Sequence, residues 1–65
     1  MRVIKGAILR DIRKARGLRQ GQVAKSAGIA QGYYSLIERG MRDCSVGVLE
    51  RICDCLGLEL KIVLK

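Results

Sequence analysis

The segment QGQVAKSAGIAQGYYSLIERG, residues 20–40, decides how this chain folds. Gly28 interrupts it near the middle. Before the break, Val23, Ala24 and Ala27 recur at helical spacing and predict a short helix over about 20–27 with one apolar face. After it, Tyr34 and Ile37 stand at i and i+3 and predict a second helix over about 31–39, which Gly40 ends. Ile29 falls between the two, where it can plug the bend.

Working outward, Ile8, Leu9, Ile12 and Ala15 recur at helical spacing and predict a helix from about Lys5 to Arg16. Gly17 follows as its stop. Residues 40–44 read as a loop. Ser45 is a good N-cap for a helix to about Leu56, with Val46, Leu49, Ile52, Cys53 and Leu56 as its apolar stripe and Gly57 as its stop. The tail changes period. Leu58, Leu60, Ile62 and Leu64 alternate with Glu59, Lys61, Val63 and Lys65, and only Val63 breaks the polar side. A period of two predicts a half-buried β-strand over 58–64. A lone strand leaves its backbone unpaired, so this one needs a partner: Arg2-Val3-Ile4, or the same strand of a second subunit.

Sixty-five residues read as a single domain spanning 1–65, whose own core is marginal because so short a chain buries only about 60% of its unfolded surface. Prolines are absent and the aromatics are Tyr33 and Tyr34, which suits a helical domain better than a β-sandwich. The three cysteines, Cys44, Cys53 and Cys55, do not make a secreted disulfide framework. No signal peptide and no membrane-length apolar run is visible, so the expected location is cytoplasmic. The net charge of +7 is unevenly placed. Residues 1–25 carry eight basic residues against Asp11, whereas residues 43–60 carry four acidic residues against Arg51. A basic half implies a polyanionic partner, and a merely solvated surface is the competing reading.

Two short helices joined through a glycine turn, with small residues where they must cross closely, are the layout of a helix-turn-helix. The second helix of that unit enters the major groove of double-stranded DNA. The chain also resembles the phage-repressor and Cro type of helix-turn-helix, the xenobiotic-response-element group of regulators. The matching residues are LRxIRxxRGL at 9–18, QxxVA at 20–24, SxGI at 26–29, QxY at 31–33, IERG at 37–40, Ser45, and IxxxLG at 52–57. They cover roughly residues 8–57. The resemblance implies an all-α, four-helix lambda-repressor-like domain with its helix-turn-helix at 20–39, to which the alternating tail would add the short C-terminal β-strand.

The same resemblance implies the DNA-binding roles. Gln20 would bond a backbone phosphate and steady the next helix. Gln31 would reach base edges, where a glutamine suits adenine. Gly32, Tyr33 and Leu36 fall on the outward face of that helix, and Arg42 would touch phosphate. Family members often cap these two helices with Thr or Ser, but here the cap positions hold Arg19 and Ala30, and a lost cap costs about 1 kcal/mol. Arg19 sets a positive charge beside the positive end of a helix dipole, which a docked phosphate would reverse, so Arg19 is also a phosphate candidate. Leu36 could pack on a thymine methyl. Glu38 reads as structural, and Arg10, Arg13, Lys14 and Arg16 read mostly as a solvated helix face.

With no histidine, the chain offers no Ser/His or Cys/His pair. Cys53 and Cys55 lie about 200° apart around a helix and cannot grip one metal. Cys53 reads as core, Cys55 as partly buried and Cys44 as a loop thiol. No enzymatic role, metal or cofactor is expected. The expected function is a sequence-specific transcriptional regulator, a homodimeric repressor joined through the C-terminal strand. An antitoxin repressing its own operon beside a toxin partner is a narrower form of it. The competing class is a protein-interaction module that keeps the fold without reading DNA.

Overall fold

A computed structural model describes residues 4–64. Among these residues five helices follow in order: α1 (Gly6–Ala15), α2 (Gln20–Ala27), α3 (Gln31–Glu38), α4 (Val46–Leu56) and α5 (Leu60–Val63). The two helices of the quoted segment form within a residue of their expected ends. Gly28 takes a left-handed φ of 72°, a conformation that costs glycine nothing. That reversal lets the Ile29 N–H reach back to the Ala24 carbonyl at 3.0 Å and satisfy the end of α2. Ile29 is half-buried at the bend.

α2 packs on α3 and α4, while α1 packs on α3, α4 and α5. Leu9, Val23, Ala27, Tyr34, Ile37, Leu49, Ile52, Leu56 and Val63 are fully buried between them. Gly6, the first residue of α1, lies directly against the backbone at the end of α3, where any β-carbon would meet the carbonyl oxygens of Ile37 and Glu38. Ser45 caps α4, its Oγ accepting the Val48 N–H at 3.2 Å. Ser45→Ala should therefore lower the stability by about 1 kcal/mol. In urea titration this would appear as an earlier midpoint with an unchanged slope.

On α1, α4 and the loop before α4, three apolar or thiol positions depart from the expected burial. Ala15 is exposed because Arg13 takes the inward place at that end of α1. Val46 is 36% exposed because it begins the first turn of α4 rather than lying within its packed stripe. Cys44 precedes α4 in the loop but is buried against the core.

The tail differs most. No strand spans 58–64 among the described residues; residues 60–63 form the short helix α5 instead. The alternating pattern placed Ile62 inside and Val63 outside. In the fold Ile62 is 44% exposed and Val63 is fully buried. A single helical turn satisfies backbone groups within itself, as the Ile62 N–H does with the Glu59 carbonyl at 3.1 Å, whereas an isolated strand could not. Glu59 and Leu64, which flank the turn, keep extended geometry; Leu64 forms one antiparallel bridge to Ile4, and the Lys5 N–H donates to the Val63 carbonyl at 2.6 Å. The chain's own N-terminal segment is thus the partner at that point. Arg2, Val3 and Lys65, also part of the strand expectation, lie outside the described residues.

Candidate nucleic-acid interface

Which side of α3 faces outward follows from its buried residues. Tyr34, Ile37 and Glu38 point into the molecule. At 100° per residue the opposite side is centred on Gly32 and Leu36, with Gln31 and Ser35 along one edge and Tyr33 along the other. Gln31 and Gly32 are exposed, while Tyr33, Ser35 and Leu36 are half-buried. The space beside Gly32 is open.

At both edges of this face, expected contact residues touch neighbouring elements. Gln31 leans on α2: its Oε1 lies 3.2 Å from where a β-carbon on Gly21 would stand. On the other edge, Tyr33 ties α3 to the following loop. Its hydroxyl donates to the Asp43 carbonyl at 3.0 Å, and the Arg42 guanidinium sits 5.3 Å from its ring centroid. That separation permits a cation–π attraction. Tyr33 thus holds the loop that carries Arg42, a role that its place in the sequence did not reveal. Arg42 itself is exposed, as is Arg19.

The start of α2 is better capped than its Arg19 N-cap suggested. Gln22, the third residue in, accepts the Arg19 backbone N–H through Oε1 at 2.7 Å, half of a capping box. The Arg19 side chain makes no capping bond. α3 also begins without a side-chain cap, at Ala30. Helices leave their first N–H groups without intrahelical partners, and such ends favour anions.

Beneath the face lies a buried polar cluster. Arg13 of α1 donates to both carboxylate oxygens of Glu38 at the end of α3, at 2.6 and 3.1 Å, and to the Leu18 carbonyl at 2.9 Å. Gln20, first residue of α2, donates Nε2 to Glu38 at 3.0 Å. The two charged side chains are 10% and 2% exposed. Burial pushes the Glu38 carboxyl upward, but the Arg13 hydrogen bonds, the nearby Tyr34 hydroxyl, the Gln20 hydrogen bond and the Arg13 charge outweigh it and hold the group below the usual carboxylate range. The Glu38 hydrogen bond in turn raises Arg13, against the desolvation of its guanidinium. Burial, then the neighbouring carboxylate, pushes the Tyr34 phenol upward.

Arg13 is therefore a fastener between α1 and the helix-turn-helix, where a solvated residue was expected. The usable signal was its place four residues after the core residue Leu9. Gln20 turns one amide hydrogen inward to Glu38, which orients the side chain whose role was assigned to phosphate. Arg16 also departs from a freely solvated role: its guanidinium lies over Gly57, just past the last turn of α4, where a cation complements the helix dipole.

Comparison with known proteins agrees with this geometry. A family model described as a helix-turn-helix domain matches residues 6–61. The transcriptional regulator ClgR of Mycobacterium tuberculosis is 39% identical over 64 residues, which is 98% of this chain and 57% of that protein. The chain thus spans little more than half the length of that curated relative. Among solved structures, the restriction-modification controller protein C.AhdI from Aeromonas hydrophila is 32% identical with a TM-score of 0.80, the match covering 86% of this chain and 85% of that one. SinR of Bacillus subtilis, a master regulator for biofilm formation solved in complex with DNA, is 30% identical with a TM-score of 0.78, over 86% of this chain and 90% of that one.

Proposed function

This chain belongs to the helix-turn-helix domain family of phage-repressor and Cro type, and on that premise we propose that it is a sequence-specific double-stranded DNA-binding transcriptional regulator acting in the cytoplasm. The observation that carries this reading is the outward face of α3, set by the burial of Tyr34, Ile37 and Glu38, with Arg42 over Tyr33 at one edge and the first turn of α2 beneath Gln31 at the other. Gln31 offers a carboxamide that can donate and accept toward one adenine edge. Gly32 leaves room for close approach, Leu36 presents methyl groups, and Arg19, Gln20 and Arg42 address phosphates. Tyr33 acts on DNA mainly by holding Arg42.

A gel-shift titration on genomic fragments at two salt concentrations tests the reading. A complex on one fragment should persist at the higher salt while general binding fades. Uniform loss on every fragment would instead favour a protein-docking role for the basic face. Gln31→Ala should cost about 1–3 kcal/mol against one base pair of the preferred site. Equal weakening on all sequences would remove Gln31 as a base reader.

A homodimeric repressor is the form proposed, since one short helix reads only a few base pairs and two half-sites one helical turn apart raise both affinity and specificity. The contact moves from the expected strand to α5, whose Ile62 is an exposed large apolar residue. Ile62→Glu should give monomers by sedimentation without loss of helical signal. A persisting dimer would exclude that surface. An antitoxin role would show as co-purification with a toxin encoded beside it.

A further inference from the structure

We propose that Gly21 sets the base preference of this interface by lacking a side chain. The inference rests on the DNA-reading role of Gln31 given above and adds the residue that orients it. Gly21 is the second residue of α2 and is only half-buried. The space beside its α-carbon is occupied by the Gln31 side chain, with Oε1 at 3.2 Å and Cδ at 3.8 Å from the position of a β-carbon. Among the described residues, no other atom lies within 4 Å of that position outside the local helix.

A carboxamide reads a base only when its oxygen and nitrogen face the right partners, so its orientation matters as much as its presence. A side chain with several rotatable bonds at the exposed start of α3 would otherwise sample many directions. Resting on the first turn of α2 removes some of them. A methyl group at position 21 would fall closer to Oε1 than ordinary contact allows, and the carboxamide, as the flexible partner, would be the part that moves. The backbone would not need to shift, and alanine is a better helix former than glycine.

Gly21→Ala thus separates specificity from folding. Gly47→Ala is the control, because a β-carbon there meets nothing within 4 Å among the described residues and the residue lies on α4. The experiment selects preferred duplexes from a randomised pool with wild type, Gly21→Ala, Gly47→Ala, Gln31→Ala and the Gly21→Ala/Gln31→Ala double variant. Thermal melts and the Gln31 side-chain amide resonances of each DNA-free protein accompany it.

Gly21→Ala should melt no lower than wild type, shift the Gln31 amide resonances, and change the preference at one position per half-site by about fivefold or more. Gly47→Ala should keep the wild-type preference. In the Gln31→Ala background the Gly21 substitution should have no further effect on preference. If wild type enriches an operator and Gly21→Ala enriches the same one with equal strength, the role of Gly21 is overturned while DNA reading stands. A Gly21 effect that persists without Gln31 overturns it equally. If wild type enriches no sequence at all, the regulator reading falls and this one with it.

Discussion

Glu38→Ala is expected to leave most of the protein unfolded at room temperature. The substitution removes the carboxylate that receives two hydrogen bonds from Arg13 and one from Gln20. Arg13 then remains as a buried cation whose one other hydrogen bond among the described residues goes to the Leu18 carbonyl. Breaking a buried ion pair from one side costs about 3–5 kcal/mol, most of it the uncompensated charge. A core of this size seldom supplies more than about 3–5 kcal/mol in total. Circular dichroism during denaturant titration should show little or no folded baseline. Replacing both partners, as Arg13→Met with Glu38→Leu, should recover part of the loss, because no buried charge is then stranded. If Glu38→Ala unfolds at the wild-type midpoint, the cluster does not hold the helices together.

The same cluster predicts an acid limit. Glu38 in the folded protein binds a proton less readily than in the unfolded chain. Its contribution is therefore complete above the unfolded carboxylate value of about 4.3 and disappears as pH falls through the lower folded value. Melting temperature should be level between about pH 5 and 7 with respect to this group and fall below about pH 4. Glu38→Gln, which cannot ionise, should show a shallower acid decline from a lower starting stability.

Gly6→Ala is the second large effect. A β-carbon at position 6 overlaps the carbonyl oxygens of Ile37 and Glu38. These are backbone atoms at the end of α3, so no side-chain rotation can relieve the contact. The better helix propensity of alanine contributes at most about 1 kcal/mol. Overpacking that forces helices apart costs about 1–3 kcal/mol, occasionally more, and outweighs it. Moving α1 would also loosen the Arg13–Glu38 pair that bridges the same two helices. The urea midpoint should fall clearly, with faster amide exchange in α1 and at the end of α3. An unchanged midpoint would show that the two helices are not in backbone contact in solution.

Helix positions within residues 6–57 were legible because each carries a local signal. The apolar spacing, the glycine stops at Gly17, Gly28, Gly40 and Gly57, and the Ser45 cap all act within a turn or two of the chain. The outward residues of α3 were legible for the same reason, since periodicity names the buried side and leaves the other. Roles that depend on a distant partner were not. Arg13 and Glu38 are 25 residues apart, and only the packing of α1 on α3 makes one a ligand of the other. Tyr33 became a support for Arg42 only once the loop folded back over α3.

The tail shows the limit most directly. Its alternation satisfied a strand template, but a strand needs a second strand along its whole length, and among the described residues Ile4 met it at one position, Leu64. Packing against α1 and α4 chose Val63 as the residue to bury, and a single helical turn delivers it there. Local sequence thus determined the helix-turn-helix and the residues it presents, because helical hydrogen bonds close within four residues. Tertiary structure decided which charges are structural, how Gln20 and Gln31 are held, and that the last turn is helical, because each depends on atoms brought together from far along the chain.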